Sequence, residues 1–256
     1  MKPAGVNVRV NRLISVLTPL LLLAVWEFAA QTHAIDTRFF SSPSRIFAQF
    51  WQMLADGELL YHTAATVTRV LIGFIIGATV GIALGLAIGL VPTVSAALQP
   101  LVDATFPIPK VALLPLVVII FGIGEASKYA IIALSVVYLL IINTAAGVRQ
   151  IERIYLDVGR NYHAGRLMMF TDVALPGALP SVLTGMKVAM GVSLIVIVAA
   201  ESLAAKRGIG FLIWTSWQVF EVEKMYVGLF VTAILGFASS ILLDWVERRL
   251  IPWKRL

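Results

Sequence analysis

The stretch ATVTRVLIGFIIGATVGIALGLAIGLV, residues 65–91, is apolar throughout apart from Arg69 and three threonines. A helix that crosses a bilayer needs about 20 such residues, so this stretch predicts a membrane span. Its glycines recur at every fourth position, and they are Gly73, Gly77, Gly81, Gly85 and Gly89. A step of four advances about 40° beyond one helical turn, so the glycines form a slowly winding seam. Another helix can approach closely along such a seam, which predicts tight packing within a bundle.

The composition of the whole chain is that of a membrane protein. Of its 256 residues, 59% are hydrophobic and 13% are charged, and the mean hydropathy is +0.92. Soluble domains carry about 25% charged residues, so this chain cannot cover its own surface with polar groups and needs lipid as its solvent. The formal net charge of +6 is better explained by orientation in a membrane than by nucleic acid, because the basic residues stand between apolar stretches.

Six apolar stretches are long enough to cross a bilayer. They are Leu13–Ala30, Ala65–Val91, Leu101–Gly122, Tyr129–Val148, Val182–Ala204 and Tyr226–Val246. Pro107, Pro109 and Pro115 interrupt the third stretch, and a membrane helix tolerates proline where neighbouring protein satisfies the freed carbonyls. The sequence therefore predicts an all-α, polytopic membrane protein with six transmembrane helices, the third of them surrounded by protein.

The basic residues predict the orientation of these spans, because cytoplasmic loops carry an excess of lysine and arginine. One alternating face holds twelve of them: Lys2, Arg9, Arg12, Arg149, Arg153, Arg160, Arg166, Lys187, Arg248, Arg249, Lys254 and Arg255. The other face holds seven: Arg38, Arg45, Arg69, Lys128, Lys206, Arg207 and Lys224. We therefore expect both termini in the cytoplasm, with a cytoplasmic segment 1–12, one membrane domain 13–250 and a cytoplasmic tail 251–256.

Two segments between the spans have amphipathic patterns. Residues 44–55 carry apolar side chains at helical spacing after Pro43, which predicts an interfacial helix on the outer face. Residues 149–176 form the long cytoplasmic loop. Its first part predicts a short amphipathic helix, with apolar side chains toward one side at Ile154, Tyr155, Val158 and Tyr162. From its pattern alone, this loop helix could simply rest on lipid.

The same loop resembles the EAA motif of bacterial ABC importer permeases, E-A-A-x3-G-x9-I-x-L-P. Asp157 stands at the glutamate position, and Val158-Gly159 stand at the two alanines. Val173 stands at the isoleucine position, and Leu175 and Pro176 follow at the spacing of the motif. One residue departs from the pattern, because His163 occupies the position of the motif glycine. We therefore expect the turn to begin later, at Gly165.

Other segments are similar to the nitrate, sulfonate, taurine and bicarbonate branch of these permeases. They are Pro107–Lys128, Pro176–Gly185, Ala199–Ile213 and Glu247–Trp253. Phe50–Leu59 and Leu71–Gly77 are closer to the aliphatic sulfonate and taurine members. The resemblance implies a type I (MetI-like) importer permease in a bacterial inner membrane. It also implies a homodimer with two cytosolic ATPase subunits, which would bind ATP and Mg, and an extracytoplasmic substrate-binding protein.

The resemblance assigns ATPase coupling to the loop 149–176. Its candidate coupling residues are Tyr155, Asp157, Gly159, Tyr162, His163, Gly165, Leu167, Met168, Leu175 and Pro176. The chain itself has no G-x-x-x-x-G-K-[ST] phosphate loop, no cysteine and no catalytic triad or HExxH pattern. We therefore expect neither enzymatic activity nor a cofactor in this chain, and ATP hydrolysis in a partner subunit. The alternative is a secondary transporter driven by an ion gradient, although no inverted repeat is evident.

Charged residues inside a membrane are costly and usually functional. Lys110 and Asp103 flank the proline-rich third span, and an anion crossing the membrane needs a compensating charge. Lys110 is therefore a candidate pathway residue, with Asp103 beside it. Two alternatives stay open, because Lys110 could reach the inner headgroups or pair with Asp103. Of the other charges, we expect Glu27 at the interface, Glu201 in a structural role, and Glu125 and Lys128 in a solvated loop.

Overall fold

The computed structural model describes residues 8–253, and at positions 8–12, 16, 153, 156, 160 and 166 it describes the backbone alone. The predicted cytoplasmic positions of Lys2, Lys254 and Arg255 therefore lie outside the described residues. Within residues 8–253 the chain forms helices and no strand. The all-α class predicted from the sequence is confirmed.

The described part of the chain contains eleven α-helices. They are α1 Val8–Gln31, α2 Pro43–Ala55, α3 Glu58–Leu90, α4 Pro92–Thr105, α5 Leu114–Phe121, α6 Glu125–Arg149, α7 Arg153–Asn161, α8 Arg166–Met168, α9 Leu175–Ala204, α10 Ile209–Gln218 and α11 Val222–Leu250. A 3-10 turn, Lys110–Leu113, precedes α5, and a π-helical turn, Met169–Ala174, joins α8 to α9. The interfacial helix predicted at 44–55 corresponds to α2, whose exposed Phe47 and Trp51 suit a membrane surface.

Five helical segments between residues 8 and 253 are long and apolar enough to cross a membrane. They are Leu13–Gln31, Glu58–Leu90, Glu125–Arg149, Met169–Ala204 and Val222–Leu250. The predicted third span is not one continuous helix, because α4 and the Lys110–Phe121 segment meet at an angle of 91°. Pro107 and Pro109 explain the break, since neither has an N–H group to donate to the carbonyl one turn earlier. The prediction of six spans holds when this bent pair counts as one.

Helix α6 lies at the centre of the bundle. Its Ile131, Ile132, Val136 and Leu140 are fully buried in the main core cluster. The glycine seam of α3 packs directly against it, because a Cβ atom added at any of the five glycines would come within 2.6 to 2.8 Å of an α6 atom. The seam therefore lets the two helix backbones meet at a distance that side chains would prevent.

The glycine contacts also give the directions of the helices. Gly73 lies beside Ile132 and Gly89 beside Val148, so α3 and α6 run in the same direction. Gly185 lies beside Asn143 and Gly147 beside Ser181, so α9 runs the opposite way. The last residues of α3 and α6 and the first residues of α9 therefore share one end of the bundle. Because α7 lies between α6 and α9, we name this the α7 end.

Candidate functional site

The loop between α6 and α9 exposes an unusual amount of apolar surface at the α7 end. Tyr162 is 84% exposed and Leu167 is 76% exposed, and Ile154, Tyr155 and Met168 are exposed as well. Ile154, Tyr155 and Val158, which the sequence pattern predicts on one side of the loop helix, are all exposed. A soluble surface rarely leaves so many large apolar groups in water without a partner. This loop is therefore the strongest candidate for a protein-binding surface.

The turn of this loop is formed by His163. Its φ is 51°, in the left-handed region that favours glycine, and Ala164 N donates a hydrogen bond to Gly159 O at 2.9 Å. Gly165 is not among the glycines with positive φ, so the expectation that the turn begins at Gly165 is wrong. The turn keeps the position of the motif glycine, although a histidine occupies it. Histidine adopts this conformation more readily than β-branched residues do.

A cleft of about 500 Å³ lies between α7 and the start of α9. Tyr155, Val158 and Gly159 line one wall, and Met168 and Pro176 line another. At Gly159 an added Cβ would collide with the Met169 side chain, so the glycine lets α7 lie against the π-helical turn. Trp253, which follows α11, also lines this cleft. Asp157 is exposed on α7, while Leu175 is half-buried at the first position of α9.

The break in the third span is held by Lys110. Its Nζ donates hydrogen bonds to the carbonyls of Thr105, Phe106 and Ile108 at 3.0 to 3.1 Å. Pro109 has no N–H for Thr105 O, so the ammonium group supplies a donor that the helix has lost. The ammonium also lies 4.1 Å from the centre of the Tyr138 ring, a cation–π contact.

The contact with Tyr138 places the Lys110 ammonium beside the middle of α6. Tyr138 is the fourteenth of the 25 residues of α6, a helix about 37 Å long. This position argues against the alternative in which Lys110 reaches the headgroups. The ion pair with Asp103, the other alternative from the sequence, is not formed within the described residues. Asp103 Oδ1 instead accepts a hydrogen bond from Gln99 Nε2 at 2.8 Å.

A buried charge cluster lies at the end opposite α7. Arg69 of α3 donates from Nε and Nη2 to the two carboxylate oxygens of Glu125 at 2.6 and 2.7 Å, and from Nη1 to Glu201 at 2.7 Å. The side chains of Arg69 and Glu201 are 2% and 0% exposed. Thr66 Oγ1 and Gly210 N also donate to Glu201, each at 2.9 Å. The Glu201 carboxylate therefore accepts hydrogen bonds from two side chains and one backbone N–H group.

This cluster was largely missed in the sequence. Lys128 is buried rather than solvated, and its Nζ donates to Gly124 O at 2.8 Å. Glu125 is partly exposed but ion-paired with Arg69, so it does not belong to a free loop. Arg69 had been counted only as a charge of the outer face. The available signal was its position inside an apolar span, which demands a buried partner.

Two other charged side chains join helices to each other. Glu27 of α1 accepts hydrogen bonds from Ser44 N and Ser44 Oγ at 2.9 and 2.8 Å, which ties α1 to α2. Lys187 of α9 forms ion pairs with Asp244 and Glu247 of α11. In the part of the chain that the structure describes, no group of three histidine or acidic side chains could hold a metal ion.

A bundle of membrane-length helices, one broken span and an exposed loop of short amphipathic helices define a multi-pass membrane protein. The chain belongs to the family of binding-protein-dependent transport system inner membrane components. Residues 77–252 match the sequence pattern of this family. It is therefore a multi-pass, non-catalytic permease subunit of an ABC importer, and ATP is hydrolysed by a separate subunit.

Two relatives and one solved structure give the extent of the similarity. The putative aliphatic sulfonates transport permease protein SsuC of Escherichia coli K12 is 36% identical over 235 residues, 92% of this chain and 89% of its own. The taurine transport system permease protein TauC of the same organism is 34% identical over 245 residues, 94% and 89% of the two chains. A chain of the inward-facing MetNI methionine ABC transporter aligns with a TM-score of 0.61 at 18% identity, covering 73% of this chain and 91% of that one. The importer permease fold expected from the resemblance is confirmed.

Proposed function

We propose that two copies of this chain form the translocation pathway for a small organic anion of the aliphatic sulfonate or taurine class. Nitrate and bicarbonate are the other anions that the branch suggests. Two cytosolic ATPase subunits drive transport, and an extracytoplasmic binding protein delivers the substrate. The observation that carries the proposal is the exposed apolar surface of α7 and α8, which a protein partner at the α7 end would cover.

The α7 end is the cytoplasmic end in this proposal, which places both termini and the loop 149–176 in the cytoplasm of a bacterial inner membrane. Tyr162, Leu167 and Met168 insert into the ATPase, since exposed aromatic and aliphatic anchors carry most binding energy at such interfaces. The rest of the loop, above all the half-buried turn at Met169–Ala174, transmits ATPase motion into α9. A second copy is needed because one loop serves only one of the two ATPase subunits.

Lys110 supplies the charge that an anion meets at the middle of the membrane. Its three hydrogen bonds hold the broken span open, while its positive charge stays uncompensated by any described carboxylate. A cation at this depth stabilises an anion that has lost its water, because electrostatic interactions are stronger at low dielectric. Asp103 lies close to this position along α4.

Reconstitution in proteoliposomes tests the proposal. The permease is purified together with the ATPase and binding protein encoded beside it, and uptake of labelled taurine, ethanesulfonate, nitrate and bicarbonate is measured. We expect uptake of at least one of these anions only when ATP and the binding protein are both present. Uptake driven by a proton or sodium gradient without ATP would contradict the proposal in favour of a secondary transporter.

A further inference from the structure

A row of polar side chains runs along α4 from the α7 end toward the middle of the bundle. Ser95, Gln99 and Asp103 follow at steps of four residues, so they share one side of the helix. Nη2 of Arg149, the last residue of α6, donates to Ser95 Oγ and to Gln99 Oε1, each at 3.1 Å. Gln99 Nε2 donates in turn to Asp103 Oδ1 at 2.8 Å. We name these four residues the polar row.

The polar row reaches from the end of the span to its centre. Arg149 follows Tyr138 by eleven residues, which is about 16 Å of helix. At the other end of the row, Asp103 stands two residues before Thr105, whose hydroxyl accepts a hydrogen bond from Tyr138 OH at 2.9 Å. Lys110 Nζ donates to the carbonyl of Thr105. Asp103, at this end of the row, therefore lies within one helical turn of the Lys110 contact.

Lipid is an unsuitable environment for this side of α4. Asp103 and Arg149 are exposed in the single chain, and Ser95 and Gln99 are half-buried. A carboxylate at such depth faces the interior of a bundle or a water-filled cavity, because hydrocarbon does not solvate it. The exposed side of α3 differs, since it carries large aliphatic residues that suit lipid; they include Leu71, Ile72, Ile75 and Ile76. Water or protein must therefore cover the polar row.

We propose that the polar row lines the part of the anion pathway between Lys110 and the α7 end, with Arg149 as the last cation that the anion meets. This rests on the function proposed above and names residues of the same pathway. Along the row the charges alternate from Lys110 through Asp103 to Arg149. Lys110 and Arg149 attract the anion into two successive positions along the row. The negative charge of Asp103 lies between them and weakens binding of the anion at both positions. Transport needs both properties, because a site must admit the substrate and then release it.

Single cysteines test whether water reaches the row, because the chain has no cysteine of its own. Ser95→Cys and Asp103→Cys are compared with two controls on the exposed side of α3, Ile75→Cys and Thr79→Cys. Each variant is assembled with its ATPase in inside-out vesicles and treated with methanethiosulfonate ethylsulfonate, a membrane-impermeant small sulfonate. We expect the α4 thiols to react about tenfold faster or more, because a thiol in an apolar surrounding rarely ionises. If Asp103→Cys reacts as slowly as the α3 controls while the same variant in proteoliposomes still couples ATP hydrolysis to uptake, the inference is wrong and the proposed function stands.

A second arm tests the charge of Arg149. In a Ser95→Cys chain, Arg149→Gln should slow the anionic reagent about fivefold, the effect of one unit charge about 4 Å away in water. A cationic methanethiosulfonate should react no more slowly than before, and Arg149→Lys should keep most of the anionic rate. An unchanged ratio of anionic to cationic rates in Arg149→Gln would remove Arg149 from the pathway.

Discussion

Arg69 Nη1 lies 2.7 Å from Glu201 Oε1, and both side chains are almost completely buried at the end of the bundle opposite α7. The same nitrogen donates to the carbonyl of Arg207 at 2.7 Å, and Glu201 accepts from the N–H of Gly210. The ion pair therefore also satisfies backbone groups of the turn that joins α9 to α10. One pair of charges thus fixes three helices relative to one another.

Removing one partner of this pair should destabilise the end of the bundle opposite α7. Arg69→Met leaves the buried Glu201 without its compensating charge, and we expect a loss of about 3–5 kcal/mol of unfolding free energy. The double variant Arg69→Met, Glu201→Leu should recover part of that loss, because the buried Glu201 carboxylate is then no longer left without its partner. Thermal unfolding of the detergent-solubilised complex measures both effects. A single variant as stable as the parent would contradict the assignment of a buried pair.

The glycine seam should be intolerant of the smallest side chain. In Gly77→Ala the new Cβ would lie 2.7 Å from Ala133 O of α6, so α3 must move away. We expect a destabilisation of about 1–3 kcal/mol, as for other overpacked positions. Gly191→Ala on α9 is the matched control, because its Cβ would meet no atom within 4 Å. Equal melting temperatures for the two variants would argue against close packing at the seam.

The left-handed turn of the loop predicts the effect of changes at His163. His163→Gly should keep ATP-driven uptake, because glycine adopts a φ of 51° without strain. His163→Ile should reduce uptake, since a β-branched residue in this region costs about 1–2 kcal/mol or more. Both variants are compared for uptake and for co-purification of the ATPase. Full activity of His163→Ile would show that coupling does not need this turn.

A break within α7 should uncouple ATP hydrolysis from uptake. In the double variant Asp157→Lys, Gly159→Pro, proline stands inside a nine-residue helix, where it costs about 3 kcal/mol. We expect normal membrane insertion, residual ATP hydrolysis and little uptake. Gly191→Ala on α9 is the control, because it lies outside the loop and its added Cβ would meet no atom within 4 Å. Unchanged transport in the double variant would exclude α7 as the coupling element.

Loss of the Lys110 charge should slow anion uptake more than it disturbs assembly. Lys110→Met removes the cation beside Tyr138, and a tenfold fall in uptake corresponds to a loss of about 1.4 kcal/mol in anion stabilisation. Lys110→Arg should preserve more activity, because the charge and several donors remain. Lys206→Met, in the exposed turn after α9, serves as a lysine control far from the break. Wild-type uptake by Lys110→Met at equal membrane level would leave Lys110 a structural role only.

Much of the fold could be predicted from the sequence because span formation is a local property. A long, mainly apolar stretch such as 65–91 must form a helix in lipid, where every backbone group needs an internal partner. The period of the glycines likewise requires a close helix neighbour, whichever helix that is. The short helix predicted in the loop 149–176 was also found, as α7, with exposed apolar residues. Amphipathic spacing over two helical turns is likewise a local property. The turn residue was predicted wrongly at Gly165, because glycine adopts a positive φ most readily, although the motif had its turn position at His163.

The tertiary structure alone decided which distant groups meet. Arg69 and Glu201 are 132 residues apart, and their pairing depends on α3 and α9 reaching the same end of the bundle on either side of α6. The position of Lys110 beside Tyr138 likewise followed from a 91° break, which replaced the straight helix that apolar length had predicted. The sequence alone therefore determined which segments enter the membrane, since that depends on the transfer of each segment into lipid. Packing decided where each charge lies within it, because a charge in lipid is stable only beside groups that the rest of the fold brings to it.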